Sequence, residues 1–358
     1  MKKSILFAVA ALALLASCTK VDTVVADQAI TFNVANYLQQ TRADAYNTDD
    51  NFGVYAYWTA NNWDAEGTAN IFMDNEKVGY NPSYAEGSWG TESTYYWPRT
   101  GAITFACYSP YTAQGRENGY SEVPSFTKEN GFTISNYTIV DQTDVDLMTA
   151  DVVPDQSRNA GAAATGQVAQ NAPVPVLFHH LLTQVAFKFK TVENPNPSVG
   201  ESEIVVNEVV VKNVANTGNY TQVQATPTQD QPAPVWSRQA GEARYEFNSA
   251  NSPLTVLPTD NEPKATSVPS RILLPQDLTA VQADITFTIR TKYGDNWAEE
   301  TLTSTVNLAT ANVPAWLPNM SIVYIFTIDP VSKDPILFDP AIAPWDTTIE
   351  VPITIPEA

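Results

Sequence analysis

Two adjacent histidines, His179 and His180, and the internal cysteine Cys107 are the side chains best placed to titrate or attack near neutral pH. The chain has no other histidine. In "FHHLLTQ" the two sit next to each other, and neighbours on a strand point to opposite faces of the sheet. They therefore make no two-ligand metal site, and one is expected to face the core and the other solvent. Cys107 lies in the strand-like run "AITFACYSPY" with no histidine in motif relation to it, so it reads as a buried, inert thiol and not as a nucleophile. "DQTDVDLMTAD" gathers Asp141, Asp144, Asp146 and Asp151, the ligand type that calcium takes, but the EF-hand spacing and its glycine are missing. No phosphate-binding loop, dinucleotide fingerprint, nucleophile elbow or HExxH helix occurs. No pair of acids stands out for glycoside hydrolysis. The expectation is a protein without enzymatic activity, metal or other cofactor.

The aromatics allow a second kind of chemistry. Trp58, Trp63, Trp89 and Trp97 fall in the first half with Tyr55, Tyr57, Tyr95 and Tyr96 beside them, in "YAYWTANNW", "GSWG" and "STYYWPR". Exposed, such rings are a platform for sugars. Buried, they fill a β-sandwich core, and that is the preferred reading.

The elements that must carry these residues are strands. "AITFNV", "FGVYAYW", "AITFACYS", "VAFKFKTV", "EIVVNEVVVKNV", "ADITFTIRTKY" and "SIVYIFTI" alternate with period two and are rich in Val, Ile, Thr, Tyr and Phe. Clusters such as "NPNPSVG" and "ANTGNY" separate them. With 25 prolines against 15 glycines, the loops are stiff. No sustained amphipathic helix is present. The length of 358 residues suggests two domains. The non-alternating stretch at 157–175 marks the expected boundary between them, and a piece starting near Val174 is expected to fold alone.

The start of the chain speaks to its destination. Lys2 and Lys3 precede an apolar run that ends in small residues, the pattern of a secretory signal peptide. Leu15-Ala16-Ser17-Cys18 resembles the lipobox of bacterial lipoproteins. The resemblance implies cleavage of residues 1–17 and acylation of Cys18, hence an outer-membrane contact through lipid. Only Cys107 then remains, so no intramolecular disulfide forms. Removing residues 1–17 takes two lysines and no acid, which leaves 17 basic against 39 acidic residues and a formal charge of −22. Such a chain repels nucleic acid and anionic lipid.

Taken in order, several segments resemble the fimbrillin family of Bacteroidetes, the subunits of type V pili. They are "ITFNV", "TRA" at Thr41-Arg42-Ala43, "NFGVYAYW", "YYWPRTGAITFACYSPY", "VDLMTAD", "VLFHHLLTQVAFKF", "RILLPQ" and "WLPNMSIVYIFTI". The resemblance implies two tandem β-sandwich domains of transthyretin-like topology, at 43–170 and 171–345. Before them lies a propeptide, 18–42, that carries a removable first strand at 29–34. It implies a trypsin-like protease cutting between Arg42 and Ala43. It also implies other fimbrial subunits as partners, each adding an extended segment to its neighbour's vacated groove.

The last segment, 346–358, offers such an extended strand. Ile349, Val351, Ile353 and Ile355 alternate with polar residues and proline. Pro352 and Pro356 share one parity, so the missing N–H groups fall on one lateral edge. The same alternation suits a last strand of the protein's own second domain. The alternatives in function are a fimbrial tip adhesin and a monomeric surface lipoprotein that binds glycans through exposed aromatics.

Overall fold

The structure, a computed structural model, describes residues 29–35, 49–64, 69–83, 89–140, 145–157, 173–192, 201–222, 235–330, 335–336 and 341–344. These residues form strands and no helix, so the chain is all-β, as its period-two patterning requires. The first half contributes β1 (Phe32–Ala35), β2 (Asn51–Thr59), β3 (Asn70–Tyr80), β4 (Trp89–Thr91), β5 (Ala102–Ser109), β6 (Ser125–Thr127), β7 (Gly131–Thr138), β8 (Met148–Ala150), β9 (Val153–Gln156) and β10 (Val174–His180). The second contributes β11 (Thr183–Thr191), β12 (Ser202–Val214), β13 (Thr217–Gln222), β14 (Val235–Ala240), β15 (Ala243–Asn248), β16 (Leu254–Val256), β17 (Lys264–Ala265) and β18 (Arg271–Leu273). It ends with β19 (Gln282–Tyr293), β20 (Asn296–Asn307), β21 (Met320–Ile328), β22 (Pro335–Ile336) and β23 (Ala341–Pro344).

The first sheet closes on itself. Its hydrogen-bonded order runs β2-β3-β4-β1-β10-β8-β5, with β9 also paired on β5, and β5 pairs back to β2. Closure removes the open edges that would otherwise template aggregation. β2 and β5 use both of their faces. Phe52, Val54 and Ala56 of β2, with Ile103, Phe105 and Cys107 of β5, fill the inside of the ring. The alternate residues Tyr55, Ala106 and Tyr108 face outward into a second core. This explains why every residue of β5 is buried: "AITFACYS" has no polar side because it lies between two apolar layers. Gly53 belongs to the same packing, since a Cβ there would stand 2.2 Å from the Tyr108 ring. That ring lies across β2 and its hydroxyl bonds the Asn75 side-chain oxygen at 2.6 Å.

The second half is a sandwich. One sheet is built on β11 and β21, which run parallel over nine residue pairs. The other is built on β12, β19 and β20. Phe187 of β11 meets Phe247 of β15 at 4.6 Å between ring centroids, and Phe187 and Phe189 stack on Phe326 of β21.

The two halves are joined by main chain. A four-stranded sheet, β14-β13-β7-β6, pairs β7 of the first half with β13 of the second, from Thr138 opposite Thr217 to Phe132 opposite Gln222. Phe126 and Phe132 of this sheet pack on Tyr57, Trp63, Tyr55 and Tyr108, and Tyr220 packs on Trp236. The Lys128 ammonium bonds the Trp63 carbonyl and lies over its ring. A buried polar cluster adds to the joint: the Thr149 hydroxyl bonds the Gln222 side-chain oxygen at 2.6 Å and the Tyr220 hydroxyl bonds the same atom at 2.8 Å. One continuous core therefore runs from Tyr55 to Phe326.

The sequence division between 170 and 171 leaves β10 on the C-terminal side, whereas its hydrogen bonds run to β1 and β8. A piece starting near Val174 would carry only one side of the joint between the halves. Its strand β13 takes its main-chain partner β7 from the other half.

Candidate functional site

Alternation in "ITFNV" sends Ile30, Phe32 and Val34 to one side, and the structure places that side inside the ring. Ile30 is 3% exposed and Phe32 0%, with Val34 packed beside them, while Asn33 points to solvent. The Phe32 ring meets Phe52 edge-on at 5.8 Å and Phe105 edge-on at 5.6 Å.

The walls of this seat come from opposite ends of the first half. On one side β1 runs parallel to β10 in the register Phe32–Val174, Asn33–Pro175, Val34–Val176 and Ala35–Leu177. The Val174 N–H donates to the Thr31 carbonyl at 2.8 Å. On the other side lies the short β4, where Phe32 faces Trp89. The Ile30 N–H donates to the Tyr95 carbonyl at 2.8 Å, and Ala29 bridges Tyr96. Tyr95 is itself fixed, its hydroxyl donating to Glu76 at 2.8 Å. Burial and that bond push its phenol up to about 12. Taking β1 away would leave an apolar slot and two unpaired backbone edges, those of β4 and β10. The site is lined by apolar side chains and main-chain edges. It can hold an extended strand.

The histidines stand at the end of β10 and differ from expectation. Neither enters the core. Phe178 is the last β10 side chain inside the ring, and both imidazoles lie part-buried beyond it. His179 Nε2 is 3.0 Å from Asp151 and His180 Nδ1 is 2.8 Å from Asp146. Two of the clustered aspartates are thus hydrogen-bond partners of the histidines. Asp141 and Asp144 lie outside the described residues. Among the described residues no group of three or more His, Cys, Asp or Glu side chains is placed to hold a metal. Cys107 is 1% exposed inside the ring, where burial pushes its thiol up. The aromatics are mostly core: Trp63, Trp89, Trp97 and Tyr55 are buried, while Tyr96 is exposed.

Cys18, Arg42, Ala43 and the row Ile349, Val351, Ile353 and Ile355 all lie outside the described residues. What the structure places is the chain leading to the last of these. β22 and β23 return antiparallel along β21, with Ile342 opposite Ile322 and Pro344 opposite Met320. Sequence reading missed the role of β10 as the wall of the β1 seat. Period two tells which face a residue takes and carries no information on which strand lies alongside.

The molecule is an all-β protein whose first sheet is completed by β1, the first of the described strands. A fimbrial protein from Bacteroides vulgatus ATCC 8482 has the same fold, with TM-score 0.59 at 20% identity over 88% of this chain and 99% of that one. A protein from Bacteroides uniformis ATCC 8492, named a candidate cell adhesion protein, aligns with TM-score 0.48 at 16% identity over 88% of this chain and 99% of its own. The fimbrillin-like family profile matches residues 41–345, and the chain belongs to that family. No curated protein matches it.

Proposed function

We propose that this chain is a structural subunit of cell-surface fimbriae and works in adhesion by strand exchange. It is made as a precursor, acylated on Cys18 and held on the outer membrane. A trypsin-like protease then cuts between Arg42 and Ala43. The observation that carries the reading is the seat of β1: the strand that fills the ring precedes Arg42, and the rest of the ring follows it. The family profile starts at residue 41 and stops at 345, so both β1 and the tail lie outside its span.

The physics of release follows from how β1 is held. While the chain is intact, β1 binds its seat intramolecularly, at high effective concentration. Its grip is short: four residue pairs on β10 and one on β4, with the contacts of Ala29 and Ile30 to Tyr96 and Tyr95 just before them. Burying its three apolar side chains contributes at most about 1.5–3 kcal/mol each. Once the link is cut, the effective concentration is lost, and a longer strand from a neighbour competes for the slot. The tail, with Ile349, Val351, Ile353 and Ile355 as its inward row, is a strand of this kind, offered to the groove of a neighbouring subunit.

Deleting 347–358 is expected to leave the melting temperature of the monomer almost unchanged and to stop the fimbria extending past the truncated subunit. Ile353→Asp is expected to do the same more weakly, because one charge must enter an apolar slot. A fall of many degrees in the truncated monomer would assign the tail to its own domain. N-terminal sequencing of assembled fimbriae tests the cut: Ala43 is the expected terminus, and an acylated Cys18 on shaft subunits would overturn it. The same preparations test the anchor, since Cys18→Ala is expected to abolish palmitate labelling.

A further inference from the structure

The seat of β1 is not uniformly apolar, and its middle position is built for a ring. Phe32 touches Phe52 and Phe105 edge-on at once. Phe52 in turn meets Phe178 of β10 at 5.4 Å, and Phe105 meets Trp97 at 5.9 Å, both edge-on. Phe32 therefore touches both aromatic pairs at once, and it does so with no exposed surface. The positions two residues to either side take Ile30 and Val34, which are aliphatic. The tail of this chain does not match that row. Residues 346–358 contain no aromatic side chain, so no register of Ile349, Val351, Ile353 and Ile355 puts a ring against Phe52 and Phe105. A branched aliphatic group at that point forfeits both edge contacts and leaves part of the space unfilled.

We propose that the Phe32 position is the specificity pocket of the groove, and that the strand it accepts comes from a different subunit and not from a second copy of this chain. The incoming strand carries an aromatic residue flanked at two residues on each side by aliphatic ones. This rests on the strand-exchange reading. It adds that the groove side of the subunit faces an unlike neighbour, while its own tail serves a groove with aliphatic pockets throughout.

The test uses the full chain with a specific protease sequence inserted after Arg42. It is cut there and incubated with an excess of one of three synthetic peptides. The first reproduces residues 28–36, the second is the same peptide with Phe32→Ile, and the third reproduces 346–358. Retention is read by native mass spectrometry and by the rise in melting temperature. The first peptide is expected to be retained, and the other two to bind about tenfold or more weakly. Equal retention of all three, or tighter binding of the tail peptide, overturns the proposal and leaves strand exchange standing. Retention of none, the first peptide included, overturns strand exchange and the proposal with it. In the uncut chain, Phe32→Ile is expected to lower the melting temperature and Ile30→Val to lower it less. The reverse order would overturn the pocket by itself.

Discussion

A fragment comprising residues 174–358 is expected to fail to fold. It would keep β13 and β14 but lose β7, the main-chain partner of β13 from Thr217 to Gln222. What remains is a two-stranded ribbon with an open edge, which is marginal in water. The side of the core lined by Phe132, Ile134, Tyr137 and Tyr108 would also go, exposing Tyr220 and Leu181, now 1% exposed each. Gln222 would lose the Thr149 hydroxyl. The expected product binds hydrophobic dye and shows no cooperative thermal transition. A sharp melting curve together with dispersed amide resonances would refute the shared core.

Phe32→Asp in the full chain should have the largest effect of any single substitution in the first half. Removing a fully buried Phe costs about 3–5 kcal/mol. The carboxylate adds the penalty of a charge without a partner, or of its forced protonation. In a molecule of this size that lowers the melting temperature by roughly 10 °C or more. The adjacent Asn33→Asp is the control. Asn33 points to solvent, so this change is expected to stay within about 0.5 kcal/mol. Equal melting temperatures for the two variants would mean that β1 is not seated in the ring.

Local patterning made most strands legible and left their partners hidden. "EIVVNEVVVKNV" and "ADITFTIRTKY" are β12 and β19, and their alternation already told which residues face the core. That they lie side by side depends on contacts about eighty residues apart, which no window of sequence contains. β7 is the sharper case. "GFTISNYT" alternates like any edge strand, and nothing in it distinguishes a partner in its own half from β13. β5 misleads in another way. Grouping "AITFACYS" with the period-two strands implies one solvent face, whereas both of its faces are buried between two cores. The β1 seat was half legible. The row Ile30, Phe32, Val34 could be read directly, but its walls come from residues 89–96 and 174–177, brought together only by closure of the ring. The histidines were misjudged because opposite faces of a strand were equated with core and solvent. Both residues still pair with β8, yet each imidazole is only part-buried and is hydrogen-bonded to an aspartate.

The sheet that carries β7 and β13 also sets how a filament of such subunits would respond to load. Two domains on a tether bend freely at the tether. Here the joint is a ladder of backbone hydrogen bonds backed by the rings of Phe132, Tyr137 and Tyr220, so flexing it would mean shearing a sheet. If subunits join by the proposed strand exchange, compliance would be confined to the contacts between successive subunits, each held by one inserted strand. The filament would behave as a string of rigid rods with swivels at regular spacing. It could follow a moving surface by bending at its joints while every rod keeps its shape under tension.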